Sequence, residues 1–406
     1  MDQVRARLAL IVLLAAPCAL PASMPPVRIS AWYWLNAAPP GEWDADFRAM
    51  HHLGFTDVIL CWGLDAAAFG TRTADTHRAL QLAGREQLGA YLMIWHPTHN
   101  SLPRAPEFEQ VDAAGNHRFT FDTFNPQWRH SQWKQYLQKV AAEYKGDPGL
   151  AGYVFDDSFG IGPIDHFGGS SGDLKDQFIS YGAADARLFG AQPPRSRSDS
   201  AWAKWVAARA GWWEDWARDT TAFLRAVDSN PKHELYLEDT DHALTEDIRN
   251  RVGVDFGRIA RHFDAIGAYT YAPFDAGDNG AQVAAHTRDV LRRTRQAVGP
   301  DKKIIYTFWV FNSKEERSPG VAKLPTVAQI RQIAEAALAA GVRHLDLYGY
   351  RIGDYAATEE SWPKLRPGTG PAYPIVGQFP GKFLYDRPQI QDGLRTLLHE
   401  LRQSTR

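Results

Sequence analysis

From residue 27 onward, short apolar runs of β type alternate with longer amphipathic stretches whose apolar residues recur every three to four positions. That alternation is the pattern of βα units on a parallel sheet, where a strand is covered on both faces and a helix on one. Eight apolar runs stand out, at 27–35, 57–62, 90–95, 151–156, 234–238, 265–271, 304–310 and 344–350. The amphipathic stretches at 43–54, 75–89, 128–144, 201–227, 246–262, 281–298, 326–340 and 390–403 predict eight helices. Gly54, Gly89 and Gly341 stand where three of them must stop before the next strand.

Eight strands in strict alternation with eight helices fit a (β/α)8 TIM barrel, α/β in class, better than an open sheet. The first helix lacks the Gly-x-Gly-x-x-Gly opening of a dinucleotide-binding sheet. No short repeat or low-complexity linker divides 27–404, so one domain is expected. A Gly-rich stretch at 159–198 elaborates the loop after strand four, and a Pro/Gly-rich stretch at 356–386 the loop after strand eight.

Composition narrows the partners. The formal net charge of −2 gives no electrostatic reason to expect nucleic acid or an anionic membrane, and a neutral substrate fits better. Arg5 and Arg7 precede an apolar run at 8–20 with small residues after it, so 1–23 reads as a secretory signal peptide. Pro17 before Cys18 fits a lipoprotein cleavage site poorly. With the leader removed, Cys61 stands alone and no internal disulfide forms. The expected setting is periplasmic or secreted, with no integral membrane segment.

In a barrel of this class the carboxyl ends of the strands build the site. Those ends carry Trp32, Trp34, Trp62, Trp95, His96, Tyr269, Tyr271, Trp309, Tyr348, Tyr350 and Arg351. They also carry the carboxylates Asp156, Asp157, Glu238 and Asp239. An aromatic rim with convergent acids suits a sugar, whose rings have an apolar face to stack and hydroxyls for carboxylates to receive. The plainer alternatives are aromatics that fill the barrel, and acids that cap a helix or pair with arginine. Glycoside cleavage needs two carboxyl groups flanking the bond, one protonated and one ionised. Alternation on strand five puts Tyr236 and Glu238 inward; taking the aromatic face of strand four as inward too favours Asp157, with Asp156 as the alternative parity.

The run Gly152-Tyr153-Val154-Phe155-Asp156-Asp157 resembles the fourth-strand motif of the (β/α)8-barrel glycoside hydrolases, and the order of elements over 27–404 follows them. In the clan with two catalytic glutamates the acid/base ends strand four and the nucleophile ends strand seven. Here strand seven ends Phe308-Trp309-Val310, with no acid before Glu315. The resemblance to α-amylase-like and dextranase-like enzymes is better on this point. It implies Asp157 or Asp156 as nucleophile and Glu238 as acid/base, with no cofactor, and an oligo- or polysaccharide as substrate. Two rivals are a zinc hydrolase built on His96 and His99 with acids from strand four, and a carbohydrate-binding barrel without turnover.

Overall fold

Eight parallel strands close into a barrel in the order β1-β8-β7-β6-β5-β4-β3-β2. They are β1 Arg28–Trp34, β2 Asp57–Cys61, β3 Gly89–Trp95, β4 Leu150–Asp156, β5 Glu234–Leu237, β6 Ala265–Thr270, β7 Lys303–Trp309 and β8 His344–Arg351. The computed structural model describes residues 25–62, 68–95, 105–111, 117–156, 182–190, 193–194, 198–238, 253–270, 280–310, 325–351 and 388–403. The putting together of strand and helix follows the expected (β/α)8 order, with helices α1 Trp43–Leu53, α2 Thr73–Arg85, α3 Lys134–Tyr144, α4 Trp202–Val227, α5 Phe256–Ile259, α6 Gly280–Val298, α7 Val327–Ala339 and α8 Pro388–Gln403. The signal-peptide segment and the loop at 356–386 lie outside the described residues, as does most of 159–198. No helix among the described residues is long and apolar enough to cross a membrane.

Local chemistry explains the boundaries. Gly54 ends α1 at φ +106, where its N–H reaches the carbonyls of His51 and Met50, and Gly341 follows α7 at φ +83. Gly89 does something different from what its position predicted: it begins β3, and Gln87 takes the left-handed turn at φ +60. A Cβ on Gly89 would lie 2.5 Å from Asp57 Oδ1, so its lack of a side chain admits that carboxylate.

Each strand presents one face to the helices and one to the barrel axis. On the helix side, the Tyr33 hydroxyl donates to Asp46 of α1 at 2.6 Å and the Tyr306 hydroxyl to Thr287 of α6 at 3.1 Å. The axis side is unusually polar. At its lower end Arg28 pairs with Asp57 and donates to the Tyr91 hydroxyl at 2.8 Å, while Tyr91 and Lys303 both donate to Glu234. Such a closed set of opposite charges satisfies every member and keeps the barrel floor packed.

The third connection adds a two-stranded antiparallel sheet, Glu109–Val111 with His117–Phe121, that the apolar pattern does not show. Just beyond it, buried Asp122 accepts backbone N–H groups from Phe124 and Ala183, which ties a short helix, Ala183–Phe189, to the barrel. Trp205 of α4 donates to Asp185 in that helix, and the buried Arg209 guanidinium lies over the rings of Phe124 and Trp205. Burial and the Asp185 charge push the Asp122 carboxyl up to about 6.

Candidate active site

Tyr153 and Phe155 settle the face of β4. The Tyr153 hydroxyl donates to Asp228 just past α4, and the Phe155 ring packs against Trp216 of α4 and Phe263. Both therefore face the helices, and the opposite face, with Val154 and Asp156, faces the axis. The analogy that favoured Asp157 fails because the aromatic residues of β4 serve the outer layer, whereas Tyr236 on β5 serves the inner one. Asp157 itself lies outside the described residues.

Glu238 is the next residue after β5. Its backbone N–H donates to Phe155 O at 2.8 Å, which continues the β4–β5 ladder beyond the pairing of Phe155 with Leu237. One step on, Asp156 and Glu238 stand side by side on strands about 5 Å apart. Glu238 is 1 % exposed, and neither carboxylate oxygen makes a hydrogen bond among the described residues. The Tyr236 and Thr307 hydroxyls lie near enough to favour ionisation somewhat without forming well-directed bonds. Burial dominates, and the charges of Asp346 and Asp156 add to it, so the Glu238 carboxyl is pushed well above the ordinary carboxylate range. It therefore holds its proton to higher pH than an ordinary carboxyl does, which is what a proton donor needs. Gly267 on β6 makes room here, since a Cβ would lie 2.8 Å from the Tyr236 hydroxyl and 3.1 Å from Glu238 Cα.

Below the pair runs a polar layer. Asp346 of β8 accepts from Ser30, from Trp32 Nε1 at 2.6 Å and from the Thr307 hydroxyl at 3.1 Å. The Thr307 hydroxyl lies 3.3 Å from that of Tyr236, which shares the inner face of β5 with Glu238. Trp32 also meets the Tyr348 ring edge-on at 4.9 Å. Trp34 follows Trp32 on the same face of β1, and its Nε1 is buried without a hydrogen-bond partner among the described residues. Trp32, Trp34, Tyr348, Asp156 and Glu238 thus lie on the axis side of β1, β8, β4 and β5 toward their carboxyl ends.

Three other candidates turn away from the axis. Trp62 donates from Nε1 to Thr76 of α2 at 3.1 Å and packs against Trp43 and Phe69, with the Arg72 guanidinium 3.9 Å above its ring. Tyr350 stacks with Tyr33 and meets Phe55 edge-on after β8 gains two residues against β1 between Leu347 and Arg351, which moves it to the outer layer. Arg351 binds Asp46 and Glu42 at α1. These three are corrected to packing and ion-pair roles. The side chains of Trp95, Tyr269 and Trp309 lie outside the described residues, as do His96, Asp239 and Tyr271 entirely, and with His96 and His99 the zinc alternative.

The residues missed by reading strand ends are Ser30, Thr307 and Asp346, which lie in strand interiors. Their signal was present: each is a polar residue between apolar neighbours in a buried strand, as Asp346 is between Leu345 and Leu347.

No family model matches the chain, and no curated protein sequence does. Solved structures do. The β-galactosidase of the psychrophilic Marinomonas ef1 superposes with a TM-score of 0.60 at 13 % identity, over 92 % of this chain and 59 % of its own. The PgaB (BpsB) glycoside hydrolase domain from Bordetella bronchiseptica gives 0.54 at 13 % identity, over 80 % of this chain and 94 % of its own. The endo-β-1,4-mannanase from Thermotoga petrophila gives 0.51 at 9 % identity, over 94 % and 78 %.

The chain has the fold of the (β/α)8-barrel glycoside hydrolases.

At such identities the likeness is one of fold, and this chain spans about three fifths of the galactosidase. At the end of β7 stand Trp309 and a buried Val310, and residues 311–324, Glu315 among them, lie outside the described residues.

Proposed function

We propose that the chain is an O-glycoside hydrolase acting on a neutral oligo- or polysaccharide, with Glu238 as the proton donor and Asp156 as the second carboxylate. The observation that carries this is the pairing of a buried carboxyl, pushed toward its protonated form, with a neighbouring carboxyl on the adjacent strand, at the barrel end where such chemistry is built. Glu238 gives its proton to the glycosidic oxygen as the bond to the anomeric carbon breaks. Asp156, the more exposed of the two, attacks that carbon or draws a proton from the water that does. Trp32 and Tyr348, in edge-on contact on the axis side of β1 and β8, support an aromatic lining for the site. The arginine-led apolar leader supports a periplasmic or secreted setting, where polymeric glycans are met.

The test is a panel of galactosides, mannans and glucans, scored for reducing ends with the wild type, Glu238→Gln and Asp156→Asn, and with the product anomer followed by NMR. Cleavage by the wild type and its loss in both variants, with glycan binding kept, is the expected result. Binding without cleavage in all three proteins would replace this reading with that of a carbohydrate-binding barrel.

A further inference from the structure

Asp346 is an unusual occupant for the middle of a barrel. It is fully buried, and three donors hold it: Ser30 Oγ, Trp32 Nε1 and Thr307 Oγ1. No cation pairs with it among the described residues. Uncharged donors favour the ionised form of an acid without cancelling its field, whereas an arginine would do both. The interior cations, Arg28 and Lys303, are engaged one layer down with Asp57 and Glu234. His344, two residues before Asp346, is kept neutral by burial and by those same cations. The hydroxyls of Thr307 and Tyr236 then lead from Asp346 to β5, two residues before Glu238 on the same face.

We propose that Asp346 is a positioning residue for catalysis, whose fixed negative charge, held by Ser30, Trp32 and Thr307, keeps the proton on Glu238 until substrate takes it. This rests on the reading of Glu238 as the proton donor. The groups facing Glu238 are Asp346 from β8, Asp156 from β4 and the Tyr236 phenol; Asp57 from β2 faces Asp346. Asp156 acts on Glu238 in the same direction, but its charge is spent when it attacks or takes a proton. Burial pushes the Asp346 carboxyl itself up to about 6, so above that pH it is ionised, and because it takes no part in the proton transfer it supplies the constant part of the field. Two like charges in a dry interior repel strongly, and the acid with more donors is the one that ionises. Asp346 has three and Glu238 has none that is well directed.

The experiment is an infrared difference titration of the full chain, following the C=O band of the protonated Glu238 carboxyl, assigned by its absence in Glu238→Gln. In Asp346→Asn, which is nearly isosteric, Glu238 should lose its proton at least about one pH unit lower than in wild type. The alkaline limb of kcat/KM should move down by the same interval, with KM changed less than about threefold. Should that variant fail to fold, Ser30→Ala/Trp32→Phe asks the same question. With two of three donors gone Asp346 stays neutral to higher pH, and Glu238 should again give up its proton earlier. An unmoved Glu238 band in the folded variants overturns the role of Asp346 and leaves the hydrolase reading standing. A shifted band in a protein that cleaves no glycan overturns the catalytic role together with that reading.

Discussion

Trp32 and Trp62 are the same residue type, 1 % and 2 % exposed, and they lie on opposite sides of the barrel wall. Replacing each by Phe separates packing from chemistry. In Trp62→Phe about 40 Å² of apolar contact is lost, worth roughly 1 kcal/mol. The hydrogen bond from Nε1 to Thr76 adds about 1 kcal/mol, and no more, because the Thr76 hydroxyl still donates to the Arg72 carbonyl. Part of the Arg72 contact with the ring, about 0.5 kcal/mol, goes as well. The sum of about 2–3 kcal/mol lowers the urea midpoint at unchanged slope and leaves a folded protein. Because the ring points at α2, kcat and KM should stay within about twofold of wild type. Trp32→Phe loses a similar area and a bond to a charged acceptor, worth about 1.5–3 kcal/mol. Its stability cost is comparable, but it should lower kcat and move the alkaline limb of the pH profile. The reasoning is refuted if Trp62→Phe raises KM tenfold while the urea midpoint holds.

Glu238→Gln should reduce cleavage by about 10²–10⁴-fold. The folded protein holds the Glu238 proton more tightly than the unfolded chain does, so wild-type stability falls as pH rises above the ordinary carboxylate range, by about 1.4 kcal/mol per pH unit until Glu238 ionises. The Gln variant lacks that slope and should gain on wild type in urea melts compared at pH 5 and pH 8. Asp122, raised from 3.8 to about 6, behaves alike: its contribution is whole below 3.8 and gone above 6, a change of about 3 kcal/mol. Asp122→Asn should flatten the stability profile across that window, and an unchanged slope would remove Asp122 as its source. In Gly152→Ala, at φ +154, the new Cβ would meet Glu234 O at 2.1 Å and part β4 from β5. Soluble yield and any activity should fall together, and a well-folded, active Gly152→Ala protein would contradict the close approach.

The order of elements could be read from sequence because every barrel strand is buried on both faces and so appears as an apolar run. Where that condition lapses, so does the reading. The strands Glu109–Val111 and His117–Phe121 are short, polar and antiparallel, and they carry no apolar run to find. The helix expected over 128–144 is regular only from Lys134, because Arg129–Trp133 widens into a π-helix where Trp128, Trp133 and Tyr136 stack at 5.8 Å.

The faces of the strands were harder, for a reason that bears on the site. Aromatic residues were taken to mark the inside, yet Tyr33, Tyr153, Phe155, Trp62 and Tyr350 all serve the layer between strands and helices. Helices supply the bulk and the occasional carboxylate that large rings and their polar tips need, such as Asp46 for Tyr33 and Asp228 for Tyr153. The axis of this barrel is instead where the charge is kept: the ion-paired floor around Arg28 and Glu234, the lone Asp346 above it, and Glu238 above that. A polar residue between two apolar ones is therefore the better sequence marker of the inner face here. On β4 that marker is missing, because Asp156 is followed by another acid, and the inward set of Gly152, Val154 and Asp156 emerges only from the structure, where Tyr153 and Phe155 are engaged outside and the Glu238 N–H continues the ladder beyond Phe155.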